Sequence, residues 1–204
     1  MFITRTRVTL AVTAVATVAL AGCGGDNGDA MPGMEHGTSS MAATSSTQAR
    51  IDFNDTDVSF LQMMYPHHAQ AVDMAKLAPS RSRNQQLLAL AAAIEQAQAP
   101  EMQRITTLLQ SFGKPAPTAG DGHMGHSMPG MMSAEQMSAL QGATGPDFDR
   151  QWLTMMIEHH SGAIAMAETE STGGTNTDAQ ALARAIVANQ QAEIEQMRTM
   201  LGNS

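Results

Sequence analysis

Two blocks of the sequence place methionine and histidine at the spacing of metal ligands. The first, residues 60–68, runs Phe-Leu-Gln-Met-Met-Tyr-Pro-His-His, and the second, residues 152–160, runs Trp-Leu-Thr-Met-Met-Ile-Glu-His-His. Residues four apart lie on the same face of a helix, so Met63 lies next to His67, and the second block repeats this arrangement. Thioether and imidazole together suit copper, and Cu(I) in particular, because thioether is a soft ligand. The spacing therefore predicts copper ligands, with packing of a methionine-rich core as the alternative.

These blocks belong to a longer unit that occurs twice, at an offset of 92 residues. The repeat continues without a gap, so that Ile94 corresponds to Ile186. Such a repeat indicates a duplicated helical hairpin, with helix pairs in residues 52–112 and 147–202. Four helices joined by one long central connection, residues 113–146, predict an all-α four-helix bundle.

Helix-breaking and capping residues predict where the helices begin and end. The first helix is expected to end before Pro79, and the second to begin near Ser82. The fourth is expected to begin near Thr177, which fits a capping box with Gln180. Pro66 lies inside the first helix and should kink it.

Several polar side chains fall inside the apolar faces of these helices. Both histidines of each block lie in the apolar arc, and a glutamine and a glutamate lie in the apolar stripe of each second helix. Because a buried carboxylate is rare without a partner, we expect the glutamates to orient imidazoles by hydrogen bonds or to ligate a harder ion. The glutamines and glutamates in these stripes are Gln98, Glu101, Gln190 and Glu193.

Methionine and histidine also cluster in two segments rich in glycine and proline. Met-Pro-Gly-Met occurs at residues 31–34 and again at residues 128–131. Core burial is not expected to account for methionine in polar loops, so these segments predict an auxiliary, flexible site for Cu(I) or Ag(I). The residues are Met31, Met34, His36, His123, Met124, His126, Met128, Met131 and Met132.

The N-terminus has the features of a bacterial lipoprotein signal. Arg5 and Arg7 precede an uncharged apolar run, residues 8–19, that is too short to span a membrane. The run is followed by Leu-Ala-Gly-Cys, which is typical of a lipobox, and Cys23 would carry the lipid. Ordinary signal cleavage is the alternative.

The chain is therefore expected to have three parts. Residues 1–22 would be the signal peptide, residues 23–51 a flexible tether, and residues 52–202 the bundle domain. The domain would lie outside the cytoplasm, anchored to the bacterial cell membrane through the lipid.

Composition excludes several classes of protein. The chain has 204 residues and a single cysteine, so it has neither an intrachain disulfide nor a cysteine-based zinc or iron–sulfur site. A net charge of −8 with only 11 lysines and arginines argues against a nucleic-acid partner. The 18 methionines are the compositional feature that a functional account has to explain.

The repeated blocks also resemble the signature of a known family. Residues 60–75 and 149–167, with the glutamine–glutamate spacing of the second helices, are similar to the family numbered 305 among domains of unknown function, over residues 52–202. The resemblance implies a ferritin-like bundle, and better understood members are extracytoplasmic copper-binding proteins linked to copper tolerance. The metal ligands implied by position are Met63, Met64, His67, His68, Met74, Met155, Met156, His159, His160 and Met166.

Together these observations predict a lipid-anchored, extracytoplasmic protein that sequesters or transfers Cu(I). Cu(II) and Ag(I) are alternative ions, and other copper-handling proteins are candidate partners. Two other functions stay open: a metal-free helical adaptor that binds a partner protein, and a ferritin-like carboxylate-metal oxidoreductase. The second requires Glu-x-x-His pairs, which are missing from the sequence. The motifs of nucleophilic hydrolases and phosphate-binding loops are missing too, so we expect a binding protein rather than an enzyme.

Overall fold

The computed structural model describes residues 51–118 and 128–202. Every regular element in these two ranges is an α-helix, which confirms the predicted all-α class. The helices are α1 (Asp55–Arg81), α2 (Gln85–Ser111), α3 (Ala134–Gly142), α4 (Gly145–Gly173) and α5 (Thr177–Gly202). Within the described ranges, none of them combines the length and the apolar character that a membrane-spanning helix requires.

Asparagine side chains cap three of the four long helices. Asn54 accepts hydrogen bonds from backbone N–H groups in the first turn of α1, and Asn84 does the same for α2. Asn176 caps α5 in this way, so the predicted capping box at Thr177 is wrong by one residue. Gln180 donates instead to the carbonyl oxygen of Gly174. Asparagine is a strong N-cap because its short side chain reaches the N–H groups two and three residues later.

The first helix continues past the proline that was predicted to end it. Pro79 lies in the last turn of α1, which extends to Arg81. A proline removes only one N–H donor, and the turn closes because the N–H of Ser82 donates to the carbonyl of Ala78 at 2.9 Å. Ser82 is therefore the C-cap of α1, and α2 begins only at Gln85.

Helices α1 and α4 pack against each other in antiparallel directions, and each also packs against the second helix of its own repeat. At one end of the pair, the side chain of Asn54 donates to the carbonyl of Gly173. Towards the other end, Nε1 of Trp152 donates to the carbonyl of Met74 at 2.9 Å. Because the bonds join the start of each helix to the later part of the other, the two repeats face each other across the α1–α4 contact.

Apolar side chains pack in two clusters towards opposite ends of the bundle. One contains Phe148 and Trp152, and the other contains Phe60 and Leu109. Between the clusters, each long helix contributes polar residues at about the middle of its length. We call this layer the polar belt. It consists of His67, His68, Gln98, Glu101, His159, His160, Gln190 and Glu193.

Part of the central linker belongs to the core. Helix α3 lies within it, and the side chains of Met128 and Met132 are only 8% and 5% exposed. The expectation that core burial does not account for the linker methionines is therefore wrong for these two. Gln70 of α1 forms two hydrogen bonds with the backbone of Met132 in the linker. Its side chain donates to the carbonyl of Met132 at 2.9 Å and accepts from the N–H of Met132 at 2.8 Å. Residues 128–132 form a strap that contacts both α1 and α4.

Candidate metal centre

Two histidine rings from opposite repeats meet within the polar belt. His67 of α1 and His159 of α4 are fully buried, with their ring centroids 3.8 Å apart and their planes tilted by 40°. The two residues occupy equivalent positions in the two repeats. Duplication of the hairpin and antiparallel packing of α1 against α4 are therefore sufficient to bring them together.

The other histidine of each block is paired with a glutamate on the neighbouring helix. His68 Nε2 donates to Glu101 Oε2 at 2.7 Å, and His160 Nε2 donates to Glu193 Oε2 at 2.6 Å. The histidines are fully buried, whereas the glutamate side chains are 16% and 17% exposed. The glutamates thus lie at the edge of the belt and hold buried rings in place from there.

These bonds decide which ring nitrogen of each histidine stays available. A carboxylate only accepts hydrogen bonds, so Nε2 of His68 and of His160 carries a proton. The Nδ1 atoms of both rings are buried, and no described residue forms a hydrogen bond with them. In the neutral form of either ring, the lone pair that can bind a metal ion therefore lies on Nδ1.

Burial keeps the central pair of rings uncharged. It lowers the pKa of His67 to about 3, with the neighbouring His68 adding to the effect. The pKa of His159 is lowered well below its usual value, again by burial first and then by the imidazoles around it. Neutral imidazole is the form that binds metal ions, so both rings are ready to act as ligands at neutral pH.

The polar belt contains several buried polar atoms that have no hydrogen-bond partner within residues 51–118 and 128–202. Both ring nitrogens of His159 and Nδ1 of His67 are among them, as are the amide atoms of Gln98 and the carbonyl oxygen of Gln190. A buried polar atom without a partner costs about 1–3 kcal/mol, so a core made only for stability would place apolar side chains here. The orphaned nitrogens fit the lone-pair donors that a copper ion requires.

Four of the six methionines predicted as ligands in the two repeats are buried. In the described residues, no group of three or more His, Cys, Asp or Glu side chains has the arrangement of a metal site. The other donor type in the interior is the thioether. The four buried methionines are Met64 and Met156 within the two blocks, and Met74 and Met166, which follow them in the same helices.

The remaining two block methionines are more accessible. Met155 is half-buried, and Met63 is 37% exposed. Met63 lies at the margin of the apolar arc of its helix, which explains its exposure. Together with Pro129 and Met166, it lines a cavity of about 280 Å³.

Sequence reasoning missed the third partner of the belt, which is a backbone carbonyl. Nε2 of His67 donates to the carbonyl oxygen of Pro129 in the strap at 3.1 Å. No side-chain pattern marks a carbonyl as a partner. The sequence nevertheless contained a sign of an asymmetric contact. Gln70 and Gly162 occupy equivalent positions in the repeats, yet one is a glutamine and the other a glycine. Both contact the strap.

Other predicted site residues lie outside the described residues. They are Cys23, Met31, Met34, His36, His123, Met124 and His126, together with the signal peptide and most of the tether.

The comparison with known families agrees with the repeated blocks. Residues 57–201 match the family described as Domain of unknown function (DUF305). The chain belongs to the DUF305 family. The resemblance predicted from the Met-Met-x-x-His-His blocks is thereby confirmed. No curated protein sequence matches the chain.

Solved DUF305 structures have the same fold. A candidate secreted protein from Streptomyces coelicolor is 30% identical with a TM-score of 0.66, and the match covers 72% of this chain and 93% of that one. A fragment from Deinococcus radiodurans is 31% identical with a TM-score of 0.66, and the match covers 74% and 98%. CopM in its Cu(II)-bound form is 36% identical with a TM-score of 0.63, and the match covers 72% and 96%. CopM has also been solved with Cu(I) and with silver.

Proposed function

We propose that this DUF305 protein binds copper through its polar belt, with Cu(I) as the favoured ion. The observation that carries the proposal is the contact between His67 and His159, two buried rings whose centroids lie 3.8 Å apart. A pair of uncharged imidazoles with orphaned nitrogens is costly inside a protein unless the rings serve a ligand.

The surrounding side chains favour copper over harder ions. Thioethers of Met64 and Met156 are buried in the same two helices, one turn before His67 and His159. Imidazole and thioether together select copper and silver, whereas Mg²⁺ and Ca²⁺ prefer oxygen ligands. The similarity to CopM, solved with Cu(I), Cu(II) and silver, supports the same ion class.

We further propose that the protein acts outside the cytoplasm, anchored by a lipid on Cys23. There it would sequester Cu(I), or transfer it to other copper-handling proteins, and so contribute to copper tolerance. It would do this as a binding protein rather than as an enzyme. An auxiliary set of ligands would be Met31, Met34, His36, His123, Met124, His126 and Met131.

Anaerobic titration of the full chain with Cu(I) against a competing chelator tests the proposal. Changing all four belt histidines to alanine should weaken retention by more than the roughly 10–100-fold that loss of an outer partner costs. The matched control changes His36, His123 and His126 to alanine and should keep the tight component. No retention by the unaltered chain, or equal loss in both variants, would overturn the proposal. A melting temperature that ignores copper would favour the adaptor instead.

A further inference from the structure

The strap, residues 128–132, lies against both repeats but is held differently by each. On α1, the side chain of Gln70 makes two hydrogen bonds to the backbone of Met132, at 2.8 and 2.9 Å. The strap is also fixed by burial of Met128 and Met132. These contacts attach both ends of the strap to the bundle.

On α4, the strap requires the absence of a side chain. A Cβ atom added to Gly162 would lie 2.0 Å from the carbonyl oxygen of Pro129, closer than any real contact. Gly130 has a φ of +75°, and a Cβ atom there would lie 2.6 Å from the carbonyl oxygen of Glu158. Backbone therefore packs directly on backbone, which only glycine allows.

This close approach places the carbonyl oxygen of Pro129 on His67. The oxygen lies 3.1 Å from Nε2, and a carbonyl only accepts, so the proton of the neutral ring lies on Nε2. Nδ1 then carries the lone pair, and this buried atom has no hydrogen-bond partner in the part of the chain that the structure describes. Among the described residues, neither ring nitrogen of His159 has a hydrogen bond like the one between His67 and the strap.

The two repeats have thus diverged at one position to receive the strap. Gln70 and Gly162 correspond to each other at the offset of 92 residues. In the first repeat, Gln70 forms hydrogen bonds with the strap. In the second repeat, Gly162 has no side chain, so the strap can approach the helix backbone. As a result, the two central histidines are equivalent in position, but only His67 has a hydrogen bond to the strap.

We infer that Gln70 and Gly162 are positioning residues that hold the Pro129 carbonyl on His67 and thereby fix Nδ1 as the nitrogen offered to the metal ion. The effect on the metal rests on the proposed copper function. The effect on the tautomer does not, because it is a property of the metal-free protein.

Nitrogen-15 NMR of the histidine rings tests this in the metal-free full chain. In the unaltered protein, His67 should give the signals of a single tautomer protonated at Nε2. Gly162→Ala should displace the strap and Gln70→Ala should release it, so each should produce a mixture of tautomers at His67. The control is Gly142→Ala, where an added Cβ atom meets nothing within 4 Å, and it should leave the His67 signals unchanged. Helical circular dichroism shows which variants are folded.

Cu(I) affinity is then measured on the same proteins. Gly162→Ala and Gln70→Ala should each weaken it by roughly 10–100-fold, the usual effect of losing an outer partner of a metal ligand. A single Nδ1-protonated tautomer in the unaltered protein, or an unchanged His67 tautomer in both folded variants, would overturn the inference. Failure of the unaltered chain to bind copper, with the tautomer shift intact, would overturn the proposed function and leave the positioning role standing.

Discussion

At the scale of single residues, hydrogen bonds direct the lone pairs of three of the four imidazoles in the polar belt, those of His67, His68 and His160. Glu101 and Glu193 hold the Nε2 atoms of His68 and His160 in the same way in both repeats. Such partners keep the ring orientation and raise the basicity of the nitrogen that faces a metal ion. Their contribution should therefore appear in metal affinity more than in folding.

The change Glu193→Ala tests this contribution. Losing the carboxylate should weaken Cu(I) affinity by roughly 10–100-fold, because His160 would no longer be held in one orientation. Glu195→Ala on the same helix is the matched control, since that glutamate pairs with Arg198 at the surface. Competition titration of both variants is the measurement. Equal affinities in the two would refute the role of Glu193.

A second buried ionisable pair lies away from the belt, where the start of α1 meets the end of α4. Burial raises the pKa of Glu170 to about 8, and the neighbouring Asp57 adds to the effect. Burial also acts to raise the pKa of Asp57, but hydrogen bonds from the backbone of Asn54, Asn176 and Thr175 lower it overall. Glu170 is therefore protonated at neutral pH, beside an ionised Asp57.

This pair predicts a specific dependence of stability on pH. Between pH 4.5, the usual pKa of the group, and about 8, Glu170 ionises in the unfolded chain but not in the folded one. The unfolded state then binds fewer protons, so Glu170 makes stability fall as pH rises through this window. Glu170→Gln should remove the fall. The free energy of unfolding of the variant, minus that of the unaltered protein, should therefore become more positive from pH 5 to pH 8.

Urea unfolding at both pH values measures that gap. His67 contributes an opposite slope below pH 6.5, because its pKa is lowered in the folded state, but this slope is common to both proteins. The exposed Glu168→Gln is the control and should follow the unaltered chain. A gap that stays constant with pH would contradict the assignment of a shifted carboxyl to Glu170.

At the scale of helices and loops, the sequence pattern predicted the four long helices but not the structure of the linker. Periodicity reports which face of a helix is apolar, so the stripes and the placement of the belt residues followed from it. It does not report what a loop contacts. For that reason α3 and the burial of Met128 and Met132 were missed. The continuation of α1 past Pro79 was missed because a proline in the last turn removes only one N–H donor.

The buried linker methionine gives a stability prediction. Met132→Ala should lower the free energy of unfolding by about 2–5 kcal/mol, because it removes a side chain packed in the core beside Leu140 and Trp152. Met131→Ala, one residue earlier and only half-buried, should cost clearly less. Urea denaturation of the two variants makes the comparison. Equal, small losses would mean that the strap does not contribute to the core.

At the scale of the whole molecule, duplication accounts for the candidate site. One hairpin supplies a Met-Met-x-x-His-His block and a glutamine–glutamate pair, and antiparallel packing of two copies brings two such sets into one belt. The apolar periodicity of the helices, together with the offset of 92 residues, was sufficient to predict the eight belt residues. It was not sufficient to predict the asymmetry, because the strap occurs once and contacts the two repeats through different residues.

Copper-edge X-ray absorption of one variant tests most directly whether the buried histidines bind copper. The chain has seven histidines, and changing His36, His123 and His126 to alanine leaves only the four buried in the belt. After anaerobic loading of this variant with Cu(I), the spectrum should show both nitrogen and sulfur around the metal. The nitrogen contribution should fall when His67 and His159 are also changed to alanine. Two results would contradict the account: a copper ion surrounded by sulfur alone in the variant that lacks His36, His123 and His126, or no bound copper in that variant.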